Sequence, residues 1–295
     1  MELLHLLNGD ATLQQFKQTN IKGDRLVWRE MLCEGETIAE VGTPLFWEKR
    51  GTFLRDFAPD SFEEHFERNK RAFSEVAPSK YEEVVLWFEY DLFCQINLLG
   101  LLSWIYNQPV KPGNISLICL GHHPKYEGLV GLGEINPAEY EALFENRIEL
   151  DHSDLEYANN IWLSYCSDDH SNLLDLIEPS RADKFPYLEE ALRWHQKRFP
   201  NPQNGLDDIE TQVVQLLAET PMEERKLVGK LLRRPGFYGF GDLQYFKYLE
   251  ELAPILDKSD GIIRLNERGQ QVAAGTLSFK SIRQAERCYG GVRVG

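Results

Sequence analysis

The chain has 295 residues, 42% of them hydrophobic and 12% aromatic, with a formal net charge of -15 at pH 7. That length and apolar content suit two or three folded domains and exclude a disordered chain, while the negative charge opposes unspecific binding to nucleic acid or anionic membrane. No apolar run reaches the roughly 20 residues that a membrane span needs, and MELLHLLNGD has neither a basic stretch nor a small-residue cleavage site, so the expectation is a cytoplasmic protein with no membrane partner.

In chain order, LLHLLNG (residues 3–9) reads as a strand followed by the helical ATLQQFKQT, and DRLVWREML as a second strand after a Lys-Gly-Asp turn. The stretch DSFEEHFERNKRAFSEVAPSKY has phenylalanines at helical spacing and a charged face, as a surface helix or two would. EEVVLWFEYD then reads as a third strand entering the helix LFCQINLLGLLSWIY, and NISLICLGHH as a fourth strand after the turn KPGN. Near-continuous apolar strands separated by helices point to βαβ units with a mostly parallel sheet covered on both faces.

Residues 134–178 are acidic, with twelve Asp or Glu against Arg147 alone, yet keep apolar spacing suited to amphipathic helices. Beyond FPYLEEALRWHQKRFP and the turn PNPQNG come three helix-sized segments, LDDIETQVVQLLAE, PMEERKLVGKLLRR and GDLQYFKYLEELAP, divided at Thr220-Pro221 and at PGFYGFG. They are followed by GIIRLNERGQQVAAG, read as two short runs around a turn; three helices and a hairpin is the order of a winged helix. Charge changes there too: residues 1–220 hold 19 Lys and Arg against 38 Asp and Glu, residues 221–295 hold 13 against 9. The expected class is α/β: a mostly parallel α/β sheet domain over residues 1–130, an acidic helical connector over 131–204, and a winged-helix-like domain over 205–295.

Ligands of open α/β sheets bind beyond the carboxyl ends of the strands, at a topological switch point. Asn8 and Asp10 follow the first strand, Arg29 and Glu30 lie on the second, Glu89 and Asp91 end the third, and His122 and His123 follow the fourth, with Glu34 and Gln95 in adjacent turns. Glu89 is the most informative, because an acid ending an apolar strand is costly to bury unless it is paired or faces a polar cleft. Two close carboxylates can hold a hard cation such as Mg²⁺ or push each other's pKa apart for acid and base roles, and an arginine can grip a phosphate or carboxylate with two bonds. Glu89, Asp91 and Glu30 are therefore the candidate acid–base residues, Asp10, Glu89 and Asp91 the candidate metal ligands, and Asn8, Asp10, Arg29, Glu34, Gln95 and His122 the candidate ligand-binding set.

Bland roles compete. Asp10 and Asp91 both precede helical runs and suit N-caps, Arg29 and Glu30 suit structural ion pairs, and Gly9 suits a tight turn. The five cysteines, Cys33, Cys94, Cys119, Cys166 and Cys288, are scattered and form no CxxC, against a disulfide framework or a zinc ribbon. There is no GxxxxGK[ST], GxGxxG after the first strand, GxSxG or HExxH. GLVGLGE, with Gly128, Gly131 and Gly133, reads as a flexible turn rather than a phosphate loop.

HLLNGDA, LVWREMLCEG and LWFEYDLFCQINLLGLL, in that order, resemble the bacterial family catalogued as domain of unknown function 1835 over about the first 125 residues. The family's turn after the WRE-like strand usually ends in proline, where Glu36 stands here. The resemblance implies Asp10, Arg29, Glu30, Glu34, Glu89, Asp91 and Gln95 as positions matching the family pattern, and brings no activity with it.

Three functions follow as expectations. The first is a cleft that binds or processes a small polar or phosphorylated molecule, with Mg²⁺ as candidate cation. The second is a DNA-binding regulator with an N-terminal sensor, disfavoured because GDLQYFKYLEEL offers only Gln244 and Lys247 to DNA. The third is a protein-interaction or dimerisation module built on the aromatic residues between Phe237 and Tyr248, with a homodimer as candidate assembly.

Overall fold

The structure is a computed structural model that describes residues 2–234 and 236–295, without the side chains of residues 61 and 65. Residue 1, which opens MELLHLLNGD, and residue 235, which opens the expected break PGFYGFG, lie outside the described residues. The chain divides into two compact units, one of residues 1–192 with 288–292 and the other of residues 193–287 with 293–295.

Unit 1 is an α/β unit. In order it contains β1 (Leu3–Asn8), α1 (Asp10–Phe16), β2 (Asp24–Trp28), the short β3 (Gly35–Glu36), α2 (Pro44–Phe57), α3 (Arg68–Glu75), β4 (Glu83–Glu89), α4 (Leu92–Tyr106), β5 (Asn114–Leu120), α5 (Tyr140–Glu145), β6 (Ile148–Glu149) and α6 (His152–Tyr165). The main sheet runs β2-β1-β4-β5-β6; the first four strands are parallel and β6 adds an antiparallel edge. β4 is buried from Glu83 to Phe88, as expected of a central parallel strand covered on both faces. The acid at its start, Glu83, is met by Arg147 at 2.7 Å and by the Ser116 hydroxyl at 2.6 Å.

Helix α4 is buried from Leu92 to Ile105 except at Phe93, because it lies between the sheet and α6. Gly100 permits this: a Cβ there would stand 2.5 Å from Leu32 and 3.4 Å from Trp162 of α6. The acidic stretch after residue 133 thus supplies an edge strand and a covering helix to the same unit. On the other side of the core His5 is buried between the Trp87 indole N–H, 3.1 Å from Nδ1, and the Lys22 carbonyl, 3.1 Å from Nε2. Burial holds its pKa below the ordinary value, so it is a neutral core histidine.

The other elements are α7 (Leu188–Gln196), α8 (Asp208–Glu219), β7 (Met222–Glu223), α9 (Glu224–Leu232), α10 (Asp242–Glu251), β8 (Leu256–Ser259), β9 (Ile262–Leu265), α11 (Glu267–Ala273), β10 (Arg287–Gly290) and β11 (Val292–Val294). In unit 2, β7, β9 and β8 form an antiparallel sheet in that order. The hairpin falls one element earlier than the sequence suggested. Asp260 and Gly261, both with positive φ, turn β8 into β9, and the run NERGQQVAAG forms α11, capped by the Asn266 side chain, instead of a second strand. Among the described residues no helix is long and apolar enough to cross a membrane.

Candidate functional site

After β2 is laid on one side of β1, the chain returns to place β4 on the other side. The strand order therefore reverses between β1 and β4, and the crevice of an open α/β sheet lies beyond the carboxyl ends of such a pair. Asn8 is the last residue of β1 and Glu89 the last of β4. Gly9, with φ of 91°, makes the tight exit from β1, and its N–H bonds to the Trp28 carbonyl at 3.1 Å, tying the end of β1 to that of β2.

Two residues beyond Glu89, Asp91 caps α4, its carboxylate accepting the Cys94 N–H at 2.8 Å. That cap fixes the first turn of the helix and brings Cys94 back towards the strand end. As a result one ligand atom each from Glu89, Asp91 and Cys94 lies within 4.8 Å of the others. The Cys94 thiol is 3.8 Å from Glu89 Oε2 and receives the Asn8 carboxamide N–H at 2.9 Å. Asn97, one turn further along α4 and fully buried, donates to Asn8 Oδ1 at 3.0 Å and to the Glu30 carbonyl at 2.7 Å, and accepts the Leu32 N–H. Gln95 donates to the Glu89 carbonyl at 2.6 Å and to Cys119 Sγ at 3.3 Å. A continuous polar network thus joins β1, the chain after β2, β4 and α4 at the switch point.

The opposite wall is the segment GLVGLGE. The Leu132 N–H donates to Glu89 Oε1 at 2.7 Å, and the Gly133 N–H also bonds this carboxyl. Gly131 lets the segment approach closely, since a Cβ there would stand 2.8 Å from Glu89 Oε2 and the carboxyl would have to shift. The segment is itself fixed, by Gln15 donating to the Gly133 carbonyl and by Glu134 accepting the Gly131 N–H.

Burial, with the nearby Asp91 charge adding to it, pushes the Glu89 carboxyl up to about 7 against the Leu132 and Gly133 hydrogen bonds. Burial likewise raises Asp91 to about 6, against the bonds from the first turn of α4. The Cys94 thiol is driven well above its ordinary value by burial and by the two acids, which makes it a poor nucleophile. Among the described residues neither Glu89 nor Asp91 has a lysine or arginine partner. The cluster is a set of protonatable groups that compete for protons or for a cation.

The remaining predicted residues lie apart from this cluster. Asp10 is the first residue of α1, not its cap, and receives Arg29 through Nε at 2.8 Å and Nη2 at 2.7 Å. Glu30 points the other way, as successive residues of an extended chain do, and its carboxylate meets Arg50 at 2.9 Å with both side chains fully buried. Arg50 also donates to the carbonyls of Met31, Glu34 and Glu36, so Glu30 and Arg50 pin the turn after β2. Glu34 is buried in that turn. His122 is exposed; its N–H donates to the Tyr187 hydroxyl at 2.9 Å. His123 stands 3.7 Å from Glu139. Residues not singled out from sequence are Cys94 as a ligand atom, Asn97 as the connector, and the backbone N–H groups of Leu132 and Gly133. Only the glycine spacing of GLVGLGE signalled the last of these.

The donor set decides which cation fits. Mg²⁺ favours six oxygen ligands in a strict octahedron and retains several waters. Two carboxylates and a thiol, mostly buried, suit Zn²⁺ or another borderline divalent ion that accepts sulfur. Comparison of the chain with protein-family models and with curated proteins gives no match, so the reading of this crevice rests on its geometry.

Proposed function

We propose that unit 1 binds a divalent cation of the Zn²⁺ class at Glu89, Asp91 and Cys94, and with it a small polar or anionic molecule in the crevice between β1 and β4. The observation that carries this is the convergence of three protonatable ligand atoms within 4.8 Å, with no cationic partner among the described residues, where the strand order reverses. A cation there would offset the burial that keeps these groups protonated. Without one, Glu89 exchanges its proton near neutral pH and has the acid–base character expected of a processing site. Arg29, with Nη1 not used by Asp10, is the partner for the anionic part of the molecule. The likeness to domain of unknown function 1835 belongs to the same proposal, since its three stretches supply the Asn8, Arg29 and Glu89 ends of this rim, and so does a cytoplasmic location. Calorimetric titration with Zn²⁺ and with Mg²⁺ tests it: Zn²⁺ binds at one site, at least about tenfold more weakly in Glu89→Gln, and Mg²⁺ binds more weakly than Zn²⁺. Equal Zn²⁺ binding by wild type and Glu89→Gln would remove the crevice from the account.

A second reading concerns unit 2. The order α8-β7-α9-α10-β8-β9 with an antiparallel β7-β9-β8 sheet supports a winged-helix-like module. Its α10 is poorly suited to reading bases: Gln244 is buried and accepts the Gly241 N–H at 3.1 Å, and Lys247 pairs with Glu250 at 2.9 Å. Exposed cations are clustered on and just after α9, at Arg225, Lys226, Arg233 and Arg234, with Lys258 and Arg264 exposed on the β8–β9 hairpin. Nucleic-acid contact would therefore run through phosphates, with α9 and the β8–β9 hairpin supplying the cations, and would show a steep salt dependence. Fluorescence anisotropy with duplex DNA over a salt series decides it: binding lost in Lys226→Glu supports a phosphate-binding face, and absence of binding at low salt leaves unit 2 as a protein-interaction module.

A further inference from the structure

Helix α4 has a second polar environment at its far end. A cavity of about 640 Å³ surrounds its carboxyl terminus, with Val41, Trp104, Asn107, Gln108, Asn159 and Leu163 in its lining. Small-molecule sites run from roughly 300 to 1,000 Å³, so a ligand fits, and nothing in the proposed function uses this space.

Its electrostatics select against anions. Lysine, arginine and histidine are missing from the lining, where Glu40 is the one charged residue. Phe73 and Ser74 bring the carboxyl end of α3, and Ser103 to Asn107 that of α4, and helix carboxyl ends carry partial negative charge. The amino end of α2 also reaches the cavity, but the Thr43 hydroxyl already accepts the Phe46 N–H there.

Hydrogen bonding defines the ligand's edge. Asn107 donates its carboxamide N–H to the Ser103 carbonyl at 2.8 Å, which identifies that atom as nitrogen. The Asn159 atom 3.0 Å from the same nitrogen must then be oxygen, and it also accepts the Ser103 hydroxyl at 2.9 Å. Among the described residues no acceptor meets the NH₂ of Asn159, a residue only 6% exposed that lines the cavity. Gln108 donates to the Trp104 carbonyl at 3.1 Å, which leaves its own carboxamide oxygen as an acceptor. One donor and one acceptor beside Phe73, Val76, Trp104 and Leu163 complement a flat molecule with an amide edge.

We propose that this cavity binds an uncharged heteroaromatic lactam or carboxamide of nucleobase size, whose carbonyl accepts from Asn159. The assignment is independent of the cation site and survives its failure. Saturation-transfer NMR on the full chain with uracil, uridine and nicotinamide, against uridine monophosphate and nicotinate, is the test. The uncharged compounds give transfer and bind at least about tenfold more tightly than their anionic counterparts. Asn159→Asp keeps the acceptor for Ser103 and Asn107 while removing the donor, and weakens binding about tenfold. Leu163→Trp, at a position 46% exposed on the lip, also weakens it, whereas Glu89→Gln leaves it unchanged. Lack of transfer from every uncharged compound at millimolar concentration overturns the proposal, as does equal binding of the anions or binding that persists in both cavity variants.

Discussion

In unit 1 Asp91 caps α4 and stands beside Glu89; in unit 2 Asp207 caps α8 and stands beside Glu210. Each pair sets a buried capping acid beside a second acid, partly buried Glu89 at the end of β4 in one case and buried Glu210 in the first turn of α8 in the other. Around the second pair, Arg287 reaches Asp207 at 2.5 Å and Glu210 at 3.1 Å, Arg283 reaches Glu210 at 2.6 Å, and Glu251 completes the cluster. Burial and Glu210 raise the Asp207 carboxyl, and Arg287 opposes them. Among the described residues no guanidinium does so at Asp91 and Glu89; their partners are backbone N–H groups and a thiol. The same chemistry thus serves two ends. A buried acid balanced by arginine holds the fold, while one left unbalanced keeps a capacity for a proton or a cation.

The contrast breaks most visibly in unit 2. Arg287→Leu leaves buried carboxylates uncompensated and should cost about 3–5 kcal/mol in urea unfolding; a loss below about 1 kcal/mol would show that the cluster is not structural. In unit 1 the sign of the pH dependence is the opposite of an ordinary salt-bridged acid. Glu89 has a folded pKa raised from 4.5 to about 7, so the folded state binds more protons than the unfolded one between those values. Metal-free stability is therefore highest below about pH 4.5 as far as this group is concerned, and falls as pH rises through about 7, by at most about 3.5 kcal/mol. Unfolding midpoints measured across that range should decline in wild type and stay flatter in Glu89→Gln; parallel profiles would mean that Glu89 is not perturbed.

Smaller effects sharpen the local geometry. Gly131→Ala places a methyl against Glu89 and should destabilise by about 1–3 kcal/mol, with a change in the pH profile. Gly128→Ala, where nothing lies within 4 Å but φ is 73°, should cost only the backbone strain of about 1–2 kcal/mol and leave the profile alone. Asp10→Asn removes one partner of a pair whose acid is 41% exposed and should change stability by less than about 1 kcal/mol. A larger loss would make the Asp10–Arg29 pair part of the fold's support rather than of its rim.

Local pattern made the four parallel strands and the helix after Glu89 legible in the sequence, because their apolar runs are long and their burial is two-sided. Asp91 was legible as a cap for the same reason: its role is set within three residues. Glu30 looked equivalent to Arg29, and only Arg50, a turn of chain away, shows that one faces the rim and the other is locked inward. Long-range partners were equally hidden at Glu89, whose hydrogen bonds come from Leu132 and Gly133, and at Gly35, which pairs with Tyr289 near the other end of the chain. VAAG, short and apolar, suggests a strand where the chain forms helix α11, and the Asn266 cap is the local sequence signal for that helix.

The most direct measurement is the absorption spectrum of the metal-free protein titrated with Co²⁺, a reporter for zinc-type sites with sulfur ligands, at about pH 7.5 and about pH 5. The account predicts a thiolate-to-cobalt band that saturates at one equivalent at the higher pH, is absent at the lower, and disappears in Cys94→Ser. A spectrum matching aqueous Co²⁺ at the higher pH, or a band that survives in Cys94→Ser, would contradict it.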